Sequence, residues 1–182
     1  MPPAETARTL RSELREIVRV LLISLAVVIP VRLFIAQPFI VRGASMEPTY
    51  HDGEYLIVDE ISLRFSELER GEVIIFRYPH DPKSFFIKRI IGLPQDTIVI
   101  RDGYVYLSSP EGELQKVDES YIGSEVFTLP DKVVTLGPDE YFVLGDNRPD
   151  SSDSRVWGPL EDQYIVGRTF LRLWPISKLK FL

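Results

Sequence analysis

From Glu54 to Gly145 the chain runs through short segments dense in Val, Ile, Phe and Tyr: EYLIVDE, EVIIFRY, SFFIKRIIG, DTIVIR, YVYLS, KVVTL and EYFVLG. Segments of this length and composition read as strands. No βαβ alternation separates them, so the body is expected to be all-β, made of mostly antiparallel sheets. Asp102-Gly103, between TIVIR and YVYLS, is a two-residue hairpin signal. YIVGRTFLRLW near the C-terminus is expected as a further strand, bent at Gly167. Segment 108–131 (SSPEGELQKVDESYIGSEVFTLPD) is polar and turn-rich, and is expected as an exposed, variable excursion.

Ahead of this body lies one apolar stretch. Val20 to Val31 reads VLLISLAVVIPV between Arg19 and Arg32, and continuing through Ala36 gives 17 residues. That is near the lower limit for crossing roughly 30 Å of hydrocarbon. Arg32 is tolerated if its stem lets the guanidinium snorkel to the interface, and Pro30 kinks the helix near that end. Gln37 and Pro38 follow the stretch in place of a small-x-small site, which disfavours a cleaved leader. Arg8, Arg11, Arg15 and Arg19 precede it, whereas Arg42 is the one basic residue in the twenty that follow Ala36. Positive residues stay inside. The expected layout is therefore a cytoplasmic tail (1–16), one transmembrane helix (17–36) and a β domain on the trans side (37–182).

Composition narrows the chemistry. A net charge of −6 and a pI near 5.0, with no clustered basic patch in the body, argue against nucleic acid as a partner. The absence of cysteine excludes disulfides, thiol nucleophiles and thiolate metal sites. Metal-binding spacings such as H-E-x-x-H are also missing, so neither a metal nor a cofactor is expected.

Three segments remain as carriers of chemistry. In Gly43-Ala44-Ser45-Met46-Glu47-Pro48-Thr49, Ser45 sits among turn-forming residues. It lies nine residues past Ala36, hence at most about 30 Å beyond the expected anchor. Taken alone it reads as an ordinary turn serine. In SFFIKRIIG, strand alternation puts Lys88 on the face of Phe86 and Ile90. The segment itself leaves two readings: an edge-strand lysine that snorkels to solvent, or a desolvated lysine whose lowered pKa suits it to act as a base. Gly145-Asp146-Asn147-Arg148-Pro149-Asp150-Ser151-Ser152-Asp153-Ser154-Arg155 ends a strand with three Asp, three Ser and two Arg. It reads either as a solvated turn or as carboxylates and guanidiniums that satisfy one another in a buried network. The spacing of a calcium loop is missing. His51 and His80 lie in turns without a recognisable triad context, which disfavours Ser–His–Asp chemistry.

Together and in this order, the segments resemble the type I signal peptidases. SMEPT resembles the family's nucleophile box, RGEVIIF (70–76) the following strand box, KRIIGLPQD (88–96) the lysine box, and GDNRPDSSDSR the GDNRxxSxDSR box at every fixed position. The resemblance implies a membrane-bound serine endopeptidase that removes signal peptides from exported preproteins after an Ala-x-Ala site. It implies Ser45 as nucleophile, Lys88 as general base and Ser151 as the hydroxyl orienting the lysine. Arg89 with Asp146, and Asp153 with Arg155, are implied as supporting ion pairs, with Asn147 and Arg148 in the same network. Val41, Met46, Tyr50 and Ile87 fall at substrate-pocket positions. Some members carry an oxyanion-binding serine where this chain has Gly43, so the implied oxyanion donors are backbone groups of Ser45 and Gly43. Preproteins and the lipid bilayer are the implied partners, for a monomer in a cell or thylakoid membrane. Self-cleaving repressors begin with a DNA-binding domain, and the complete last box favours preprotein processing over pilus-type maturation. A catalytically silent assembly factor would not need Ser45, Lys88 and Ser151 together.

Overall fold

The computed structural model describes residues 4–30, 37–108 and 112–182. It forms two units, Met1–Gln37 and Pro38–Leu182. In chain order the elements are helix α1 (Ala4–Pro30), then strands β1 (Gln37–Ile40), β2 (Tyr55–Asp59), β3 (Val73–Tyr78), β4 (Asp81–Gly92), β5 (Thr97–Arg101) and β6 (Tyr104–Ser108). They continue with β7 (Leu114–Lys116), β8 (Lys132–Thr135), β9 (Glu140–Leu144), helix α2 (Ser154–Trp157), β10 (Leu160–Glu161), β11 (Ile165–Trp174) and β12 (Lys180–Phe181).

In the first unit, α1 is rich in Ala, Leu, Glu and Arg, good helix formers. The expected tail is thus helical from Ala4 on. Ile17, Val20, Leu21, Leu22 and Ile23 are exposed along it. Among the described residues no helix is long and apolar enough to cross a membrane. The expected anchor, 17–36, includes 31–36, which lie outside the described residues.

In the second unit the described strands make two sheets. The larger has the order β1-β2-β11-β3-β4-β9-β10, with β12 beside β11, and the smaller has the order β7-β6-β5-β8. All the registered pairs are antiparallel, as expected. Each of the short Val-, Ile-, Phe- and Tyr-rich segments read from Glu54 to Gly145 forms a strand, and Asp102 and Gly103 turn β5 into β6 with φ of 53° and 82°, the left-handed pair of a tight hairpin. The pairing of β11 with β3 slips between Ile165 and Gly167.

The central strand β3 is buried on both faces. Val73 and Ile75 join Val41, Met46, Tyr50, Leu56, Val58 and Ile87 in one core cluster. Ile74 and Phe76 face the other way, into a cluster with Ile90, Val143 and Leu160. A third cluster, around Ile98, Ile100, Val105 and Phe142, holds the small sheet to the ends of β4 and β9. This double burial makes β4 a rigid carrier for whatever it presents.

Segment 108–131 is only partly the exposed excursion expected. Val117 and Thr128 are buried, and Thr128 N–H donates to the Gly103 carbonyl at 2.8 Å. It is tied down at both the hairpin turn and the polar loop described next.

Candidate active site

Ser45 lies in a tight turn between β1 and β2, where Glu47 N–H donates to the Ala44 carbonyl (3.1 Å) and Tyr50 N–H to that of Met46 (2.9 Å). Met46 and Tyr50 drop into the core and anchor the turn from below. Arg172 ties it from the side, donating to the Thr49 carbonyl at 2.6 Å. The turn opens at Gly43, whose φ of +84° is a conformation L side chains rarely adopt. Gly43 N–H donates to Asp52 Oδ1 at 2.7 Å. Ser45 N–H has no acceptor among the described residues.

Lys88 pairs across the strands with Ile74. That face is buried, which decides between the two readings its segment left open: Lys88 is only 3 % exposed. Its Nζ donates to Ser45 Oγ at 2.7 Å and to the Ile87 carbonyl at 2.9 Å, and lies 5.4 Å from the centre of the Phe86 ring. Desolvation lowers its pKa from 10.5 to about 8, against the opposing pull of Asp153 and Asp146. At pH 7 roughly a tenth of the molecules then hold a neutral amine, to which the Ser45 hydroxyl can donate in turn.

The polar loop after β9 is a buried network, not a solvated turn: Asp146, Arg148, Asp153 and Ser154 are all at most 2 % exposed. Asp146 takes a bidentate pair from Arg89 (Nε 2.9 Å, Nη2 2.6 Å) and the Thr49 hydroxyl at 2.5 Å. Asp153 takes Arg155 in the same way (2.8 Å and 2.8 Å) and also accepts from Gly145 N–H at 3.1 Å. Arg148 donates to the Gly145 carbonyl at 3.2 Å. Asn147 closes the loop onto the Ser45 turn. Its N–H donates to the Ser45 carbonyl and its Nδ2 to the Ala44 carbonyl, both at 3.1 Å. Because fork-to-carboxylate pairs fix direction as well as distance, Ser45 is held from below by packing and from one side by this loop.

Gly145 leaves no room for a side chain. A Cβ there would meet Ser151 Oγ and come within 2.5 Å of the Ser45 carbonyl oxygen. Ser151 is thus brought into the site, but its Oγ is buried without a hydrogen-bond partner among the described residues. The lysine amine is bonded to Ser45 and the Ile87 carbonyl. His51 contacts Glu54 (3.6 Å) and Lys178 (3.3 Å), and His80 stacks on Tyr78. Neither histidine touches Ser45.

A groove of about 800 Å³ runs up to Ser45 and Lys88. Its walls are Pro38–Arg42 and Lys83–Ile87, and Leu56 and Ile75 line it from the core side. Phe39 and Phe85 meet edge-on across it, with ring centres 5.4 Å apart. Of the residues placed at pocket positions, Val41 and Ile87 line the groove, whereas Met46 and Tyr50 are buried in the same cluster without lining it. Several contacts of the site were invisible in the sequence: Thr49 on Asp146, Leu56 and Ile75 in the groove, and Glu119 and Thr128 on Arg148. Strand alternation marks Leu56 and Ile75 as inward-facing but says nothing of a cleft. Thr49 closes the SMEPT segment, but nothing in that segment points to Asp146, and Thr128 carries no signal at all.

Residues 14–174 match the family model "Signal peptidase, peptidase S26". A probable signal peptidase I-2 of Synechocystis is 36% identical over 92% of this chain and 76% of its own length. A signal peptidase I of Leptolyngbya laminosa is 34% identical over 98% of this chain and 90% of its own. A solved signal peptidase I of Enterococcus faecalis is 29% identical, with a TM-score of 0.46 over 57% of this chain and 97% of that one. The family match and the curated relatives make the chain a serine peptidase. It belongs to the signal peptidase family, peptidase S26.

Proposed function

We propose that this chain is a membrane-bound endopeptidase that removes N-terminal signal peptides from exported preproteins after a small-x-small site, with Ser45 as nucleophile and Lys88 as general base. The observation that carries the reading is the buried Lys88 amine, 2.7 Å from Ser45 Oγ at a peptide-sized groove. An extended peptide lies between the walls 38–42 and 83–87, with its side chains against Val41, Leu56, Ile75 and Ile87. Those close-packed neighbours leave room for small side chains beside the cut.

The chemistry follows from the geometry. Neutral Lys88 takes the proton of Ser45 Oγ as the oxygen attacks the scissile carbonyl. The developing oxyanion meets Ser45 N–H, the donor left open in this turn. Gly43 N–H is engaged by Asp52, so Gly43 contributes by having no side chain to crowd the carbonyl. The lysine ammonium passes its proton to the leaving amine, leaving an ester on Ser45. A water then gives its proton to Lys88 and attacks the ester, and Ser45 regains its hydrogen. Ser151 Oγ, buried and unpaired beside Gly145, is the hydroxyl that turns to the lysine amine once substrate has displaced the resting contacts.

The protein acts as a monomer held in the bilayer by 17–36, with its N-terminus in the cytoplasm and the β unit on the trans side. Support comes from the arginine asymmetry around the apolar stretch. The second unit adds an apolar surface: Trp174, Ile176, Leu179 and Phe181 are exposed beside Lys178 and Lys180, a composition that suits a headgroup boundary. The test uses full-length enzyme extracted with detergent from carbonate-washed membranes and an Ala-x-Ala preprotein, with the new N-terminus read by mass spectrometry. The expected result is retention in the washed membranes and one cut after the second Ala. Release by the wash sinks the anchor, and cutting elsewhere, or none, sinks the substrate assignment.

A further inference from the structure

We propose that Glu119, in the segment between β7 and β8, is a positioning residue for the Ser45–Lys88 pair and acts through the buried guanidinium of Arg148. The inference rests on the reading of Ser45 and Lys88 as the catalytic pair. Arg148 is among the largest fully buried side chains of the protein. A guanidinium out of water is costly unless paired and fully hydrogen-bonded. Its partners are the Gly145 carbonyl (3.2 Å), the Thr128 hydroxyl, the Tyr121 hydroxyl (3.4 Å) and the Glu119 carboxylate. Among the described residues Glu119 alone brings a negative charge to it.

The chain of contacts from Glu119 to the nucleophile is short. Glu119 fixes Arg148, and Arg148 fixes the Gly145 carbonyl. Asn147, between those two residues, holds the carbonyls of Ala44 and Ser45. Asp146, beside it, holds Arg89, the neighbour of Lys88. The same segment touches this second guanidinium directly: the Tyr121 ring lies 4.0 Å from Arg89, and its hydroxyl donates to Glu119 at 3.2 Å. Burial and the adjacent Glu119 raise the pKa of that phenol, so it stays a donor. The segment is itself held, since Arg155 donates to the Leu129 carbonyl (3.0 Å) and Lys132 to that of Arg155 (2.9 Å). A polar stretch outside every recognised box thus backs two of the guanidiniums that set this loop, Arg148 and Arg89.

Glu119→Gln keeps the shape of the side chain and removes its charge. In steady-state cleavage of an Ala-x-Ala preprotein by the full-length chain in detergent, well below the melting temperature of each variant, kcat is expected to fall about 10- to 100-fold. KM stays within about twofold, because the groove walls lie on other elements. Glu119→Asp, which restores the charge, recovers at least about threefold of the lost kcat. A purely structural role would lower the melting temperature and leave kcat per folded molecule unchanged. Wild-type kcat in folded Glu119→Gln, or a raised KM with kcat kept, overturns the proposal. If Glu119→Gln does not fold, Tyr121→Phe carries the same test. It keeps the ring on Arg89 and loses the hydroxyl's bonds to Glu119 and to Arg148, with kcat expected about threefold lower at unchanged KM; wild-type kcat there overturns the proposal. A wild-type chain that cleaves nothing overturns the catalytic reading and this inference with it, whereas an active wild type beside an equally active Glu119→Gln overturns this inference alone.

Discussion

Lys88→Ala is expected to lower kcat by about 10³-fold or more in a protein that still folds. A positioned base contributes roughly 10²–10⁴-fold by itself, and in a site where nucleophile and base act as a unit, losing either removes most of the effect. The fold should survive for a reason visible in the lysine's own titration. Its pKa is about 8 in the folded chain against an ordinary 10.5, so the unfolded chain binds more protons between those values. Stability therefore rises with pH across that window, and below it the buried ammonium costs about 3 kcal/mol. Removing the side chain relieves that cost and leaves a cavity worth about 2–5 kcal/mol in the other direction. The two largely offset, and the melting temperature at pH 7 should move by only about 5 °C. Activity within about tenfold of wild type would mean that another group takes the proton.

Asp146→Ala should lower stability by about 3–5 kcal/mol in urea unfolding. The carboxylate is 1% exposed and receives two bonds from Arg89 and one from Thr49. Without it the Arg89 guanidinium, 11% exposed, keeps the Gly71 carbonyl (2.7 Å) and the Tyr121 ring but loses its counter-charge. Cutting should fall as well, since Asp146 adjoins Asn147, which holds the Ser45 turn. A loss below about 1 kcal/mol would show that the pair behaves like an exposed one.

Much of this architecture was legible in the residues because it rests on local patterns. Runs such as VIIFRY and TIVIR declare strands by β-branching, and Asp102-Gly103 declares its own turn. Lys88 could be placed on the face of Phe86 and Ile90 by alternation alone. Whether that face was buried could not be read, because the burial comes from Ile74 on a neighbouring strand and from packing beyond it. The same limit hid the pairing of Glu119 with Arg148, 29 residues apart, since a single glutamate in a turn-rich stretch carries no periodicity. β7, β10 and β12 are two or three residues long, too short for any repeat to show. Ser151 was placed in the site by resemblance. Its resting position beside Gly145, unbonded to the lysine, depends on a side-chain rotation that no sequence pattern encodes.

The most direct test of the catalytic account is kcat/KM for an Ala-x-Ala preprotein measured from about pH 6 to 10 with the full-length enzyme. If a neutral Lys88 is the base, log kcat/KM rises with pH by about one unit per pH unit on the acid side and levels off near the lysine's pKa of about 8. A profile that is flat across this range, or that levels off near the ordinary range of a histidine, would contradict it.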